Sequence, residues 1–81
     1  MRRRDEVRLA DLLSQVNRAR ASVRAERNDP KTPVTKAEHQ VRCAALAEAM
    51  EAYADAATDA GIPLPYRYRD EMRLYRSVAS G

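Results

Sequence analysis

Apolar and polar positions along the chain fall into three helical blocks separated by two proline-bearing breaks. The strongest block runs from Thr35 to Ala60. Projected at about 100° per residue, His39, Cys43, Leu46, Met50, Tyr53, Ala57 and Ala60 form one stripe. Val41, Ala45, Ala49, Ala52 and Ala56 form a second stripe beside it, and Glu48, Glu51, Asp55 and Asp59 fall together opposite. The two apolar stripes cover well over half the circumference, whereas a surface helix needs an arc of only about 100°. This block is therefore expected to be contacted from two sides. The bulky stripe takes one neighbour, and the alanine stripe lets another backbone come close. That second neighbour is either another part of this chain or a second copy. Val41, Ala45, Ala49, Ala52 and Ala56 are thus the candidate self-association surface.

The ends of this block are marked by local chemistry. Thr35 and Glu38 have the spacing of a capping box. Pro33 lies just upstream, where no helix interior can hold it. At the far end Gly61 suits a left-handed C′ position, Ile62 a Schellman contact, and Pro63 blocks continuation. The interior is alanine-rich and free of glycine and proline, which favours helix.

Residues 5–28 read as a first long helix. Asp5 or Glu6 suits its positive N-terminal end. Leu9, Leu12, Leu13, Val16, Ala19 and Val23 keep helical spacing along one stripe. The break from Asn28 to Val34, with two prolines and an Asn-Asp pair, makes residues 29–34 a loop. Two helices of about 36 Å each, joined by a short break, predict an antiparallel hairpin. After Gly61, Ile62-Pro63-Leu64-Pro65 forms a stiff linker, with Pro65 placed to start a third helix over 66–79. There Tyr68, Met72, Tyr75 and Ala79 form a stripe, with Leu74 and Val78 beside it. The expected fold is all-α: a single domain over 1–81, built as a hairpin of two long helices plus a shorter third, a small three-helix bundle that self-associates.

Composition sharpens the self-association reading. The chain has 81 residues, and Leu, Ile and Val together number thirteen, with no Phe or Trp. Such a core is thin, and oligomerisation is a common remedy at this size. Basic charge is almost wholly arginine, thirteen Arg against two Lys, with a net charge of +3. With the alanine excess this bias points to a GC-rich coding sequence, bacterial or phage. A single cysteine excludes an intramolecular disulfide and any multi-cysteine zinc site. The basic start is followed by no apolar run of signal-peptide length, and no stretch approaches the roughly 20 apolar residues of a membrane span. A cytoplasmic protein without membrane contact is expected.

Three constellations carry candidate chemistry. His39 and Cys43, four apart, can present two metal ligands or a thiol beside its base. Both readings need further groups, and the plainer one is a buried core thiol with a histidine near solvent. Glu48, Glu51, Asp55 and Asp59 read as a solvated face or a contact for arginine on a neighbour, since catalytic carboxylates need unequal environments. There is no glycine-rich phosphate loop and no hydrolase or zinc-protease motif. No enzyme, no metal, no cofactor and no small-molecule substrate is expected.

The arginines form two stripes: Arg20, Arg24 and Arg27 in the first helix, and Arg69, Arg73 and Arg76 in the third. Arg67 stands between Tyr66 and Tyr68. Arginine with tyrosine suits a protein interface. It also suits nucleic acid, through phosphate contacts and base stacking. A third reading has Tyr68 and Tyr75 packed inward and the arginines paired with the acidic stripe of the central helix. The function expected is a small non-enzymatic helical interaction or regulatory module that forms a homodimer. Arg67, Tyr68, Arg69, Arg73, Tyr75 and Arg76 are its candidate partner-binding residues. The alternative is a nucleic-acid-binding regulator reading phosphates through Arg20, Arg24, Arg27, Arg69, Arg73 and Arg76. Interspersed Glu26, Asp70 and Glu71 make the basic footprint of that alternative smaller.

Overall fold

The structure, a computed structural model, describes residues 3–28 and 35–81, without the side chains of residues 3, 5, 27 and 28. The expected loop over 29–34 lies outside the described residues. Three helices are described: α1 (Arg3–Asn28), α2 (Lys36–Asp59) and α3 (Tyr66–Ser80). The chain is all-α, a hairpin of two long helices with a shorter third packed on the second.

The ends of α2 follow from their residues. Thr35 is extended, with φ −69° and ψ 157°, and its Oγ1 accepts from the Glu38 amide at 3.1 Å. This satisfies one of the amides a helix start leaves without a partner. At the other end Gly61 takes φ +74°. Its amide donates to the Thr58 carbonyl at 3.0 Å and the Ile62 amide to the Ala57 carbonyl at 2.8 Å. That pair of bonds is a Schellman motif, and it needs a residue tolerant of positive φ at its turn. The stop reverses the chain through the Pro63 and Pro65 linker, so that α3 runs back along α2. Pro65 caps α3 in an extended conformation, where its missing amide costs nothing.

Contacts at both ends of the hairpin set α1 antiparallel to α2. Glu26 meets His39 and Arg42 at one end, and Leu9 lies with Ala56 and Ala60 at the other. Helix α2 is the centre of the molecule. Helices α1 and α3 each pack on it, and among the described residues no Cα pair between α1 and α3 lies within 8 Å.

The core gathers where side chains of all three helices converge. Val16 and Val23 of α1 meet Leu46 and Met50 of α2, all fully buried. Tyr68, Met72 and Tyr75 of α3 close over them, half-buried. Burial of each aliphatic side chain stabilises the fold by about 1.5–3 kcal/mol.

The wide apolar arc of α2 is largely used inside the chain. Cys43, Leu46, Ala47, Met50, Ala54 and Ala57 are its buried residues. Ala47 and Ala54 lie on none of the stripes read from the sequence. Of the expected self-association stripe, Ala49 and Ala56 are half-buried, and Ala49 packs against the core cluster. Val41, Ala45 and Ala52 are exposed. The outward line of α2 therefore mixes these three with Glu48, Asp55 and Asp59, also exposed. Close approach of a second backbone is achieved by α3, on the Ala47 and Ala54 side.

Candidate functional site

The sequence-derived site residues divide into those α3 turns inward and those it leaves outside. Tyr68 and Tyr75 point inward. The Tyr68 hydroxyl donates to the Met50 carbonyl at 2.8 Å, and its ring lies 5.9 Å from that of Tyr53. Burial, with Tyr53 close by, pushes the Tyr68 phenol up to about 12, while Arg20 pulls the other way. Arg76 is engaged by Glu51 of α2, the pairing of arginine with the acidic stripe that the third reading describes. Arg67, Arg69 and Arg73 are exposed.

The phenol of Tyr68 supplies a spectroscopic test of this placement. Its protonated form is favoured in the folded state, so its contribution to stability is full below pH 10. That contribution is lost as pH rises from 10 through 12. Absorbance titration of the native protein is expected to show one of the four tyrosines ionising near pH 12, and Tyr68→Phe is expected to abolish that late step. A titration in which Tyr68→Phe removes a step near pH 10 would contradict the buried hydrogen bond.

The two arginine stripes do not form one surface. Arg20 of α1 is drawn to Glu71 of α3, with Nη2 at 3.0 Å from Oε2, while its Nε is buried without a hydrogen-bond partner. Arg24 is exposed, and the Arg27 side chain lies outside the described residues. Glu71 and Arg76 are five residues apart, about 140° around the helix axis. Arg20 therefore borders one flank of α3, and Arg69, Arg73 and Arg76 the other.

A further cluster joins the hairpin ends, and only its α2 half was legible in the sequence. His39 Nδ1 is 3.2 Å from Glu26 Oε2, and its Nε2 is 3.6 Å from Cys43 Sγ. The Glu26 side chain is 3% exposed, and its Oε1 lies at ion-pair distance, 3.3 Å, from Arg42 Nη1 without hydrogen-bond alignment. The chain Glu26–His39–Cys43 has the order of a carboxylate-oriented imidazole beside a thiol. Cys43, however, is only 1% exposed, which sets its sulfur in the core as a small hydrophobe. Among the described residues no group of three His, Cys, Asp or Glu side chains is arranged to hold a metal ion. The visible work of the cluster is structural: it ties the last turn of α1 to the first turns of α2.

Sequence reasoning missed two residues of the α3 surface. Tyr66 is 86% exposed and Leu74 58% exposed. With Arg67 and Asp70 they occupy an arc of about 100° on the outward side of the helix. Their signal was present, since large apolar residues off the Tyr68-Met72-Tyr75 stripe must face away from α2. No family model, curated protein or solved structure matches the chain. No described helix is long and apolar enough to cross a membrane.

Proposed function

We propose that this chain is a small non-enzymatic helical interaction module. It associates with a second copy of itself and offers the outward side of α3 to a partner protein. The observation that carries the reading is the division of α3. Tyr68, Met72 and Tyr75 are spent on the core, yet Tyr66, Arg67 and Leu74 remain together outside. Single exposed apolar residues are ordinary. Tyrosine, leucine and arginine sharing one flank make a small apolar patch with a cationic rim, and Tyr and Arg are the types that anchor protein interfaces. With Arg20 and Arg76 engaged by carboxylates, the arginine that remains exposed is divided between two flanks of α3. That arrangement supports a protein contact better than a continuous track for phosphates.

The test is solution mass by light scattering behind size exclusion, at two salt concentrations, with and without random-sequence DNA. A dimer indifferent to DNA is the expected result. Mass gained with DNA at low salt and lost at high salt would overturn the reading in favour of a nucleic-acid regulator. For the α3 surface, Tyr66→Ser/Leu74→Ser is expected to leave the helical content unchanged and to abolish capture of the protein that the parent chain retains.

A further inference from the structure

We infer that the second copy docks on the α2–α3 face, about a two-fold axis parallel to the helices, so that the acidic ridge of each α2 lies on the arginine ridge of the other copy's α3. This rests on the self-association part of the reading above and specifies its surface, which is not the alanine stripe alone.

The argument begins with where charge falls. Helix α2 carries five carboxylates against two cations, and α3 four arginines against two carboxylates. The surplus charges are not scattered. Glu48 and Asp55 are exposed on the side of α2 that borders α3, next to Glu51, which reaches Arg76. Arg69 and Arg73 are exposed on the flank of α3 that Arg76 marks, since residues three and four apart share a helix face. One long face of the bundle therefore shows an acidic ridge and a basic ridge side by side. The seam between them is shallow and lined by Ala44, Glu48, Arg76 and Ala79.

Register follows from two contacts. The Glu51–Arg76 pair and the seam in which Ala44 lies with Ala79 align α3 antiparallel to α2. One turn back from Arg76, Arg73 stands level with α2 between Glu51 and Asp55, and Arg69 stands just past Asp55. A two-fold axis along the helices keeps every residue at its own height while exchanging the ridges. Asp55 then faces Arg69 and Arg73 of the second copy, Glu48 faces its Arg73 and Arg76, and the same pairs recur on the other side. An axis across the helices would instead set acidic ridge on acidic ridge, so like-charge repulsion selects the first arrangement.

Apolar surface and size suit this face. Val41 is 69% exposed, and the exposed Ala45 and Ala52 leave room for a neighbouring helix at the usual 8–10 Å. The molecule measures 45 × 21 × 17 Å. A long face of such a body can supply the roughly 800 Å² per partner of a standard interface. Exposed ion pairs add little affinity by themselves. Their part is to set orientation, while Val41 and the alanines supply the buried area.

Charge reversal on one ridge at a time tests the exchange. Glu48→Arg/Asp55→Arg makes both ridges basic, and Arg69→Glu/Arg73→Glu makes both acidic. Each variant alone is expected to weaken the dimer at least about tenfold, because either homodimer now meets like charge. An equimolar mixture is expected to recover parental affinity within about threefold, since each acidic ridge again meets a basic one. Circular dichroism checks that the exposed substitutions leave the helices intact. Salt titration of the parent dimer, which needs no variant, is expected to lower its mass. A parent chain that stays monomeric at high concentration would sink self-association itself. A dimer that both variants leave unchanged, or that the mixture does not restore, would overturn this face and leave self-association standing.

Discussion

Leu46→Ala is expected to remove about 3 kcal/mol of stability, the largest loss from any single truncation in the molecule. Leu46 is fully buried where side chains of all three helices meet, in one cluster with Val16, Val23 and Met50. Truncation deletes three carbons and leaves a cavity walled on the α3 side by Tyr68, Met72 and Tyr75, large side chains that do not slide into a gap of that size. The magnitude matters because the reserve is small. A chain of 81 residues holds about 4–12 kcal/mol in total at the usual 0.05–0.15 kcal/mol per residue. At about 4–8 °C per kcal/mol for a chain this short, the thermal midpoint is expected to fall by about 12–24 °C. Thermal unfolding followed by far-ultraviolet circular dichroism reads this directly. Leu74→Ala is the control, because Leu74 is exposed and its truncation is expected to change stability by less than about 0.5 kcal/mol. A Leu46→Ala protein as stable as the parent would mean that the helices do not converge on this residue.

The features legible in the sequence are those decided by neighbours in the chain. Thr35 with Glu38, and Gly61 with Ile62 and Pro63, act within one turn of the helix they bound, and the cap and the Schellman motif follow from them. The inward stripe of α3 was legible too. Tyr68, Met72 and Tyr75 are bulky and spaced four and three, so they share one side of the helix. The described part of the first helix runs from Arg3, two residues ahead of the start expected at Asp5.

The faces of α2 were not legible in the same way, and the cause is alanine. A methyl group is small enough to be tolerated exposed and apolar enough to be buried, so its position on the wheel does not declare a side. Ala47 and Ala54 are buried because α3 lies over them, while Ala45 and Ala52 are exposed because nothing among the described residues does. That choice is made by the path of the Pro63 and Pro65 linker, which is remote from all four residues. The burial of Glu26 was hidden for a related reason. Its counter-groups, His39 and Arg42, belong to the next helix and come beside it only when the hairpin closes.

Ala47→Glu and Ala45→Glu put the same chemistry on the same helix two residues apart, and they are expected to differ sharply. Ala47 is 4% exposed and lines the seam where Arg76 and Ala79 of α3 approach α2. A glutamate there brings four further heavy atoms, a methylene and a carboxylate, into a contact built for a methyl. Its charge would lie one turn from Glu51, a like charge, and compete with it for Arg76. Overpacking costs about 1–3 kcal/mol, and burial of an unsatisfied polar group a similar amount again. The sum is expected to release α3 or unfold the protein, with loss of the near-ultraviolet signal of Tyr68 and Tyr75. Ala45 faces solvent, so Ala45→Glu costs only the difference in helix propensity, a few tenths of a kcal/mol. Chemical denaturation at low protein concentration, below any self-association, separates the two. Equal losses would show that α3 does not lie on the Ala47 side of α2, and with that the exposed ridge of Glu48 and Asp55 would lose its place beside Arg69 and Arg73.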